Sequence, residues 1–150
     1  MKYLKILELG HNKIPDFGSC LFKNLTEIMH IDLSHNEMTE LKRLAFSDLP
    51  NVKRIRLHNQ KIACIDTHAF VDVPRIGEIY ISSNRLPTFP HATFEYRNWP
   101  SLYSIHADNN LIQSIEEYPE VSFKGRDWER YCPGRQSFIP FQSLGQIRHL

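Results

Sequence analysis

A carboxamide side chain recurs through this chain at a nearly constant interval. Asn12, Asn36, Gln60, Asn84 and Asn110 are separated by 24, 24, 24 and 26 residues. Around each amide stands the same frame of apolar residues. The first unit carries Leu4, Leu7, Leu9, Ile14 and Phe17, and the second Ile28, Ile31, Leu33, Met38 and Leu41. The third has Val52, Ile55, Leu57, Ile62 and Ile65, the fourth Ile76, Ile79, Ile81, Leu86 and Phe89, and the fifth Leu102, Ile105, Ala107, Ile112 and Ile115. Ten residues after the amide, four units place a phenylalanine: Phe22, Phe46, Phe70 and Phe94. Every one of these positions is apolar in a chain that is 41% hydrophobic overall, so coincidence is set aside. Self-similarity at such a period is the mark of a stacked repeat.

The spacing has a direct physical reading. Apolar residues two apart, such as Leu7 and Leu9 or Ile55 and Leu57, point to one face of a short strand. One such strand cannot bury its face alone. Stacked parallel to its successor at about 4.8 Å, it builds a continuous core. The ladder Asn12, Asn36, Gln60, Asn84, Asn110 then lies at the inner bend, where an amide can satisfy backbone groups of neighbouring turns. Gln60 is longer, which predicts a local distortion of the third unit. The phenylalanines are expected to stack as a spine on the convex side.

The frame L-x-x-L-x-L-x-x-N-x-L-x-x-L with its later phenylalanine resembles the leucine-rich repeat. The 24-residue period is similar to the "typical" subclass common in extracellular and cell-surface proteins, such as Toll-like receptors, chaoptin-like adhesion proteins and Slit-like guidance ligands. The resemblance implies an α/β repeat fold, a curved leucine-rich-repeat solenoid. Short parallel β-strands are expected on its concave face, and loops or short helical turns on the convex face. Five repeats are expected over residues 1–115, at about 4–27, 28–51, 52–75, 76–101 and from 102 onward, followed by an insertion or degenerate repeat over 116–140. Phe141, Leu144, Ile147 and Leu150 reproduce the spacing of Phe46, Leu49, Val52 and Ile55, so 141–150 reads as the start of a further truncated repeat. Trp99 takes the place of the leucine seen at Leu25 and Leu49. No terminal caps are recognisable, so a fragment of a longer array is expected.

The strand positions that do not enter the core form the concave face. By column they read Ile6, His30, Arg54, Glu78, Ser104, and then Glu8, Asp32, Arg56, Tyr80, His106. The next columns are Gly10, Ser34, His58, Ser82, Asp108 and His11, His35, Asn59, Ser83, Asn109. Asp32 beside Arg56 and Arg54 beside Glu78 are expected cross-strand ion pairs. A partner-binding surface is therefore expected from Glu8, His11, His30, Asp32, His35, Arg54, Arg56, His58, Glu78, Tyr80, His106 and Asp108, with Tyr80, Arg54 and Arg56 as anchors, because Tyr and Arg are enriched at hot spots.

Five of the eight histidines fall on this face. His11, His35 and His58 raise the idea of zinc, but nothing supplies a further ligand at fixed spacing, so no metal and no cofactor are expected. Sensitivity of binding to pH between about 5 and 7 is physically allowed. Catalysis finds little footing. Cys64 and His68 lie four apart on an irregular convex segment, and Asp32, Ser34 and His58 share the face without an oxyanion element. With 18 basic against 17 acidic side chains, there is no electrostatic case for nucleic acid. The opening residues contain no apolar stretch of signal-peptide length, and Cys20, Cys64 and Cys132 leave the redox compartment open. Asn24-Leu25-Thr26 is an N-glycosylation sequon.

The expectation is a non-enzymatic, protein-binding segment of an extracellular or cell-surface receptor or adhesion protein that docks a protein ligand or receptor partner on its concave face. A homodimer through the solenoid stays open, and membrane contact would come only through regions outside this sequence. The alternative is a cytoplasmic adaptor whose repeats recruit a substrate to a ubiquitin ligase or phosphatase.

Overall fold

The computed structural model describes residues 3–94 and 99–112. Five three-residue strands, β1 (Ile6–Glu8), β2 (His30–Asp32), β5 (Arg54–Arg56), β8 (Glu78–Tyr80) and β9 (Ser104–His106), form one parallel sheet in the order β1-β2-β5-β8-β9. Ile6, His30, Arg54, Glu78 and Ser104 stand in one row, and Glu8, Asp32, Arg56, Tyr80 and His106 in another. The central residue of each strand turns inward. Ile31, Ile55, Ile79 and Ile105 are all buried, and full burial of such a side chain contributes about 1.5–3 kcal/mol.

Past each strand the parallel ladder continues into the bend. Leu33 N donates to Arg56 O at 2.9 Å, and His35 N to His58 O at 3.0 Å, with equivalents between the other turns. At that bend the backbone enters the left-handed region once per turn, at His11, His35, Asn59, Ser83 and Asn109, with φ between 54 and 56°. Asn and His are among the non-glycine residues that tolerate this conformation best. The chain returns to the sheet through a tight turn, with Val52 N donating to Leu49 O and Ile76 N to Val73 O. Pro50 and Pro74 occupy the second position of those turns, where proline's fixed φ is already suited.

The convex side is more regular than loops alone. β3 (Glu40–Leu41) pairs in parallel with β6 (Cys64–Ile65), and β4 (Phe46–Ser47) with β7 (Phe70–Val71). Cys64 therefore sits in a strand rather than on an irregular segment. Among the described residues the helical element is a single 3-10 turn, His91–Phe94. The phenylalanines form the expected spine. Phe22–Phe46 and Phe46–Phe70 stack at 5.4 and 5.2 Å, and Trp99 meets Phe70 and Phe94 edge-on at 5.6 and 5.3 Å. The larger indole fills the column of Leu49 and Val73, and is 3% exposed.

The amide ladder ties the turns together. Asn36 Oδ1 accepts from Ile14 N at 3.0 Å, while its Nδ2 donates to Leu9 O of the preceding turn and to Leu33 O and Ser34 O of its own. Asn84 repeats the pattern with Ile62 N, Leu57 O, Ile81 O and Ser82 O. The distortion expected at Gln60 does not occur, and β5 stays in register on both sides. Gln60 Oε1 accepts from Met38 N at 3.1 Å and Nε2 donates to Leu33 O at 2.9 Å. The extra methylene carries the amide to the preceding turn, and what is given up is the pair of bonds within its own bend.

Candidate functional site: the concave face

The outward residues of five strands make a polar strip held by cross-strand contacts. The Arg54 guanidinium binds Glu78 through Nε and Nη2. Arg56 Nη1 lies 3.3 Å from Asp32 Oδ2. Both pairs follow from the register and are partly exposed, so each is worth about 0–1 kcal/mol. Tyr80 is the centre of a second set of contacts. The Arg56 guanidinium carbon lies 5.8 Å from its ring centroid, and the His106 ring is stacked on it at 4.3 Å with 2° between planes. Its hydroxyl donates to Glu78 Oε1 at 3.4 Å.

The rings continue across the sheet. His11 and His35 stack at 4.0 Å, His35 meets His58 edge-on at 5.4 Å, and His58 meets Tyr80 at 6.4 Å. With the Tyr80–His106 stack this makes one file of rings over all five turns. The file borders an open depression of about 720 Å³ lined by Glu8, His11, Asp32, His35, Arg56, His58, Tyr80 and His106. Of the other expected site residues, His30, Arg54 and Glu78 stand toward the start of the strands, and Asp108 follows β9, where it accepts from Ser82 Oγ at 2.6 Å.

Electrostatics separate these groups. Burial lowers the His58 pKa; Asp32 opposes this, and His35, Arg56 and His11 add to it. His30 is lowered by burial and then by Arg54, Lys53 and Arg56, against Glu78. Nδ1 of each of these two rings is buried with no hydrogen-bond partner. For Asp32, burial raises the pKa, but bonds from the Ser34 hydroxyl and backbone N–H and from Arg56 outweigh it, and the carboxyl is held below its ordinary value.

Ser34, 4% exposed, gives its hydroxyl proton to Asp32 Oδ1 at 2.6 Å. Asp32, Ser34 and His58 are thus brought together, but the serine is bonded to the carboxylate and not to an imidazole base. Cys64 is 4% exposed and engaged in a disulfide, whereas Cys20 is a free thiol. His68 is exposed beside Asp66 and Thr67. The two stacked histidines show their rings face to face, and among the described residues no group of three or more His, Cys, Asp or Glu is placed to hold a metal ion. Asn24 is exposed, with φ 64°.

One surface residue escaped the column reading. Tyr103 is 60% exposed and its ring lies over Gly77, where a Cβ would come within 2.7 Å of Cε1. The signal was a glycine and a tyrosine at equivalent positions of adjacent turns, just before β8 and β9.

A stack of parallel turns with an inner sheet, an amide ladder and a phenylalanine spine defines a β-solenoid of the protein-interaction class. The leucine rich repeat pattern matches residues 2–62 and again 26–86, together more than half of the 150-residue chain. The chain belongs to the leucine-rich repeat family. Domains of this family generally bind protein partners and are typically not enzymes. Comparison with curated proteins finds no match. The segments expected at 116–140 and 141–150, with Cys132, lie outside the described residues.

Proposed function

We propose that this chain is the non-catalytic, protein-binding segment of an extracellular or cell-surface receptor or adhesion protein, of the 24-residue subclass to which Toll-like receptors, chaoptin and Slit belong. Its concave face receives the partner. The observation that carries this reading is the in-register polar strip, in which Arg56, Tyr80 and His106 form a pre-ordered stack in an open depression. Rigid Tyr and Arg anchors lose little freedom on binding. The outside location is supported by the disulfide at Cys64, since such bonds persist in oxidising compartments. It is further supported by the exposed sequon at Asn24, which is the proposed glycosylation site.

The test has two parts. The full chain, secreted from cultured cells behind a heterologous leader, is expected to lose a glycosidase-sensitive mobility shift on Asn24→Gln. Fluorescent tetramers of the purified chain are then applied to a panel of cell lines. Arg56→Ala and Tyr80→Ala are each expected to weaken staining by more than about fivefold, in line with a hot-spot loss above about 1 kcal/mol. Staining by both variants unchanged from that of the unaltered chain would overturn the docking reading. An unglycosylated, secretion-incompetent product would favour the intracellular adaptor.

A further inference from the structure

Four of the eight residues named on the depression are histidines: His11, His35, His58 and His106. Its fixed charges are two carboxylates, Glu8 and Asp32, and one guanidinium, Arg56. Above the ordinary imidazole pKa of about 6.5, the depression carries one net negative charge. Arg56 is already engaged by Asp32 at 3.3 Å, which leaves Glu8, exposed at the end of β1, as the carboxylate available to a partner. Protonation of any two of the four imidazoles reverses the sign.

Resting on the docking reading above, we propose that the concave face recognises a lysine- or arginine-bearing protein segment at neutral pH, seated along the ring file beside Glu8, and releases it in acid. The ring file supplies the geometry. While the imidazoles are neutral, a cation seated beside Glu8 meets a carboxylate and no opposing charge from the rings. The stacked pair His11–His35, 4.0 Å apart, places two titratable rings so close that charging them sets like charges against each other and against the incoming cation. His58 is faced by Asp32 from β2, by Arg56 from β5 of its own turn, by His35 and His11 from the preceding bends and by Tyr80 from β8. The cations outnumber Asp32 once the imidazoles charge. His106 meets Tyr80 and the Ser104 hydroxyl. At the start of the strands, His30 lies near Arg54, Lys53 and Glu78, so acid adds positive charge on that side as well.

The probe is a fluorescent oligo-lysine peptide, with oligo-glutamate of equal length as control, titrated against the full chain by anisotropy. Both peptides keep their charge between about pH 7.5 and 5.5, so a change over that interval reports the histidines. Oligo-lysine is expected to bind in preference to oligo-glutamate at about pH 7.5, and to weaken at least tenfold by about pH 5.5. Glu8→Gln is expected to weaken it several-fold at the higher pH. The double variant His11→Asn, His35→Asn, chosen because asparagine keeps the left-handed bend, still holds two of the four imidazoles and is expected to lose less affinity in acid than the unaltered chain. Preference for oligo-glutamate, absence of oligo-lysine binding, or binding indifferent to pH would each overturn the proposal. If Arg56→Ala abolishes cell staining while oligo-lysine fails, the docking reading stands and the basic partner falls. Staining unchanged by both Arg56→Ala and Tyr80→Ala removes the docking reading whatever the peptide does.

Discussion

The first and third turns carry the same apolar frame, yet the structure treats them differently. In the third turn Ile55, Leu57, Ile62 and Ile65 have no exposed surface at all. In the first, Leu7, Leu9, Ile14 and Phe17 are only partly buried, and Ile6 is 54% exposed. The amides follow suit. Asn36 bonds both turns it touches, whereas Asn12 is exposed and donates only to Leu9 O and Gly10 O of its own bend. An apolar frame gives a turn the capacity to be stable, and neighbours on both faces realise it. In a quasi-one-dimensional fold the stabilising contacts lie between repeats.

The largest effects should therefore come from the core of the middle turns. Leu57→Ala is expected to cost about 2–5 kcal/mol, the usual range for a buried leucine, and Leu9→Ala half of that or less. Urea denaturation of the two variants checks this, and equal losses would remove the distinction between the turns.

The ladder gives the next step down. Asn36→Ala leaves the Ile14 N–H and several carbonyls without their partner and is expected to cost about 1–3 kcal/mol, against about 1 or less for Asn12→Ala. Gln60→Asn should move the other way. The shorter amide regains its bonds to the Leu57 and His58 carbonyls, for a gain of about 0.5–1.5 kcal/mol if it still reaches Leu33 O. A loss on Gln60→Asn would show that reach to the preceding turn matters more than closure of the bend.

pH sharpens the contrast within the sheet. Burial holds His30 and His58 below the ordinary imidazole pKa of 6.5, so the unfolded chain binds more protons in the interval between the folded and unfolded values. Their contribution to stability is full above about pH 6.5 and declines as pH falls through it. Asp16 and Asp32 behave as lowered carboxyls. Burial raises each, but bonds from Thr39 and Glu40 to Asp16, and from Ser34 and Arg56 to Asp32, prevail. Their contribution persists until pH drops below the ordinary aspartate value of 3.8. Melting temperatures from pH 8 to 5 should fall with acid, and His58→Leu should flatten part of that slope. An unchanged slope would show that His58 titrates as it does in the unfolded chain.

The smallest effect is expected at the surface. Arg56→Ala removes one half-exposed ion pair and a cation–π contact, about 0.2–1 kcal/mol, and the loss should shrink in high salt. A loss above about 2 kcal/mol would mean that the pair helps to hold the sheet rather than only to decorate it.

Most of the sheet could be read from the chain. A period of 24 residues carries each strand residue onto its equivalent in the next turn, and so the Asp32–Arg56 and Arg54–Glu78 pairs were legible as column neighbours before any coordinates. The convex ladders β3–β6 and β4–β7 were not, because an apolar residue at Leu41 or Phe46 looks the same in a loop as in a two-residue strand. Tyr103 was missed because its column lies one residue before the strand. The histidines at positions 11 and 35 looked like ligands or binding groups. The structure adds a local reason for them, a left-handed bend that imidazole and carboxamide side chains tolerate.

Periodicity alone therefore specified the stacking direction, the register and the inward residues, since a parallel repeat allows one way to bury the same face in every turn. Distances between side chains settled the rest. Whether Gln60 would strain its turn, whether Ser34 would serve an imidazole or a carboxylate, and whether scattered histidines would meet as one file of rings all depend on reach and rotamer. Those are properties of neighbouring turns in contact, and no single repeat contains them.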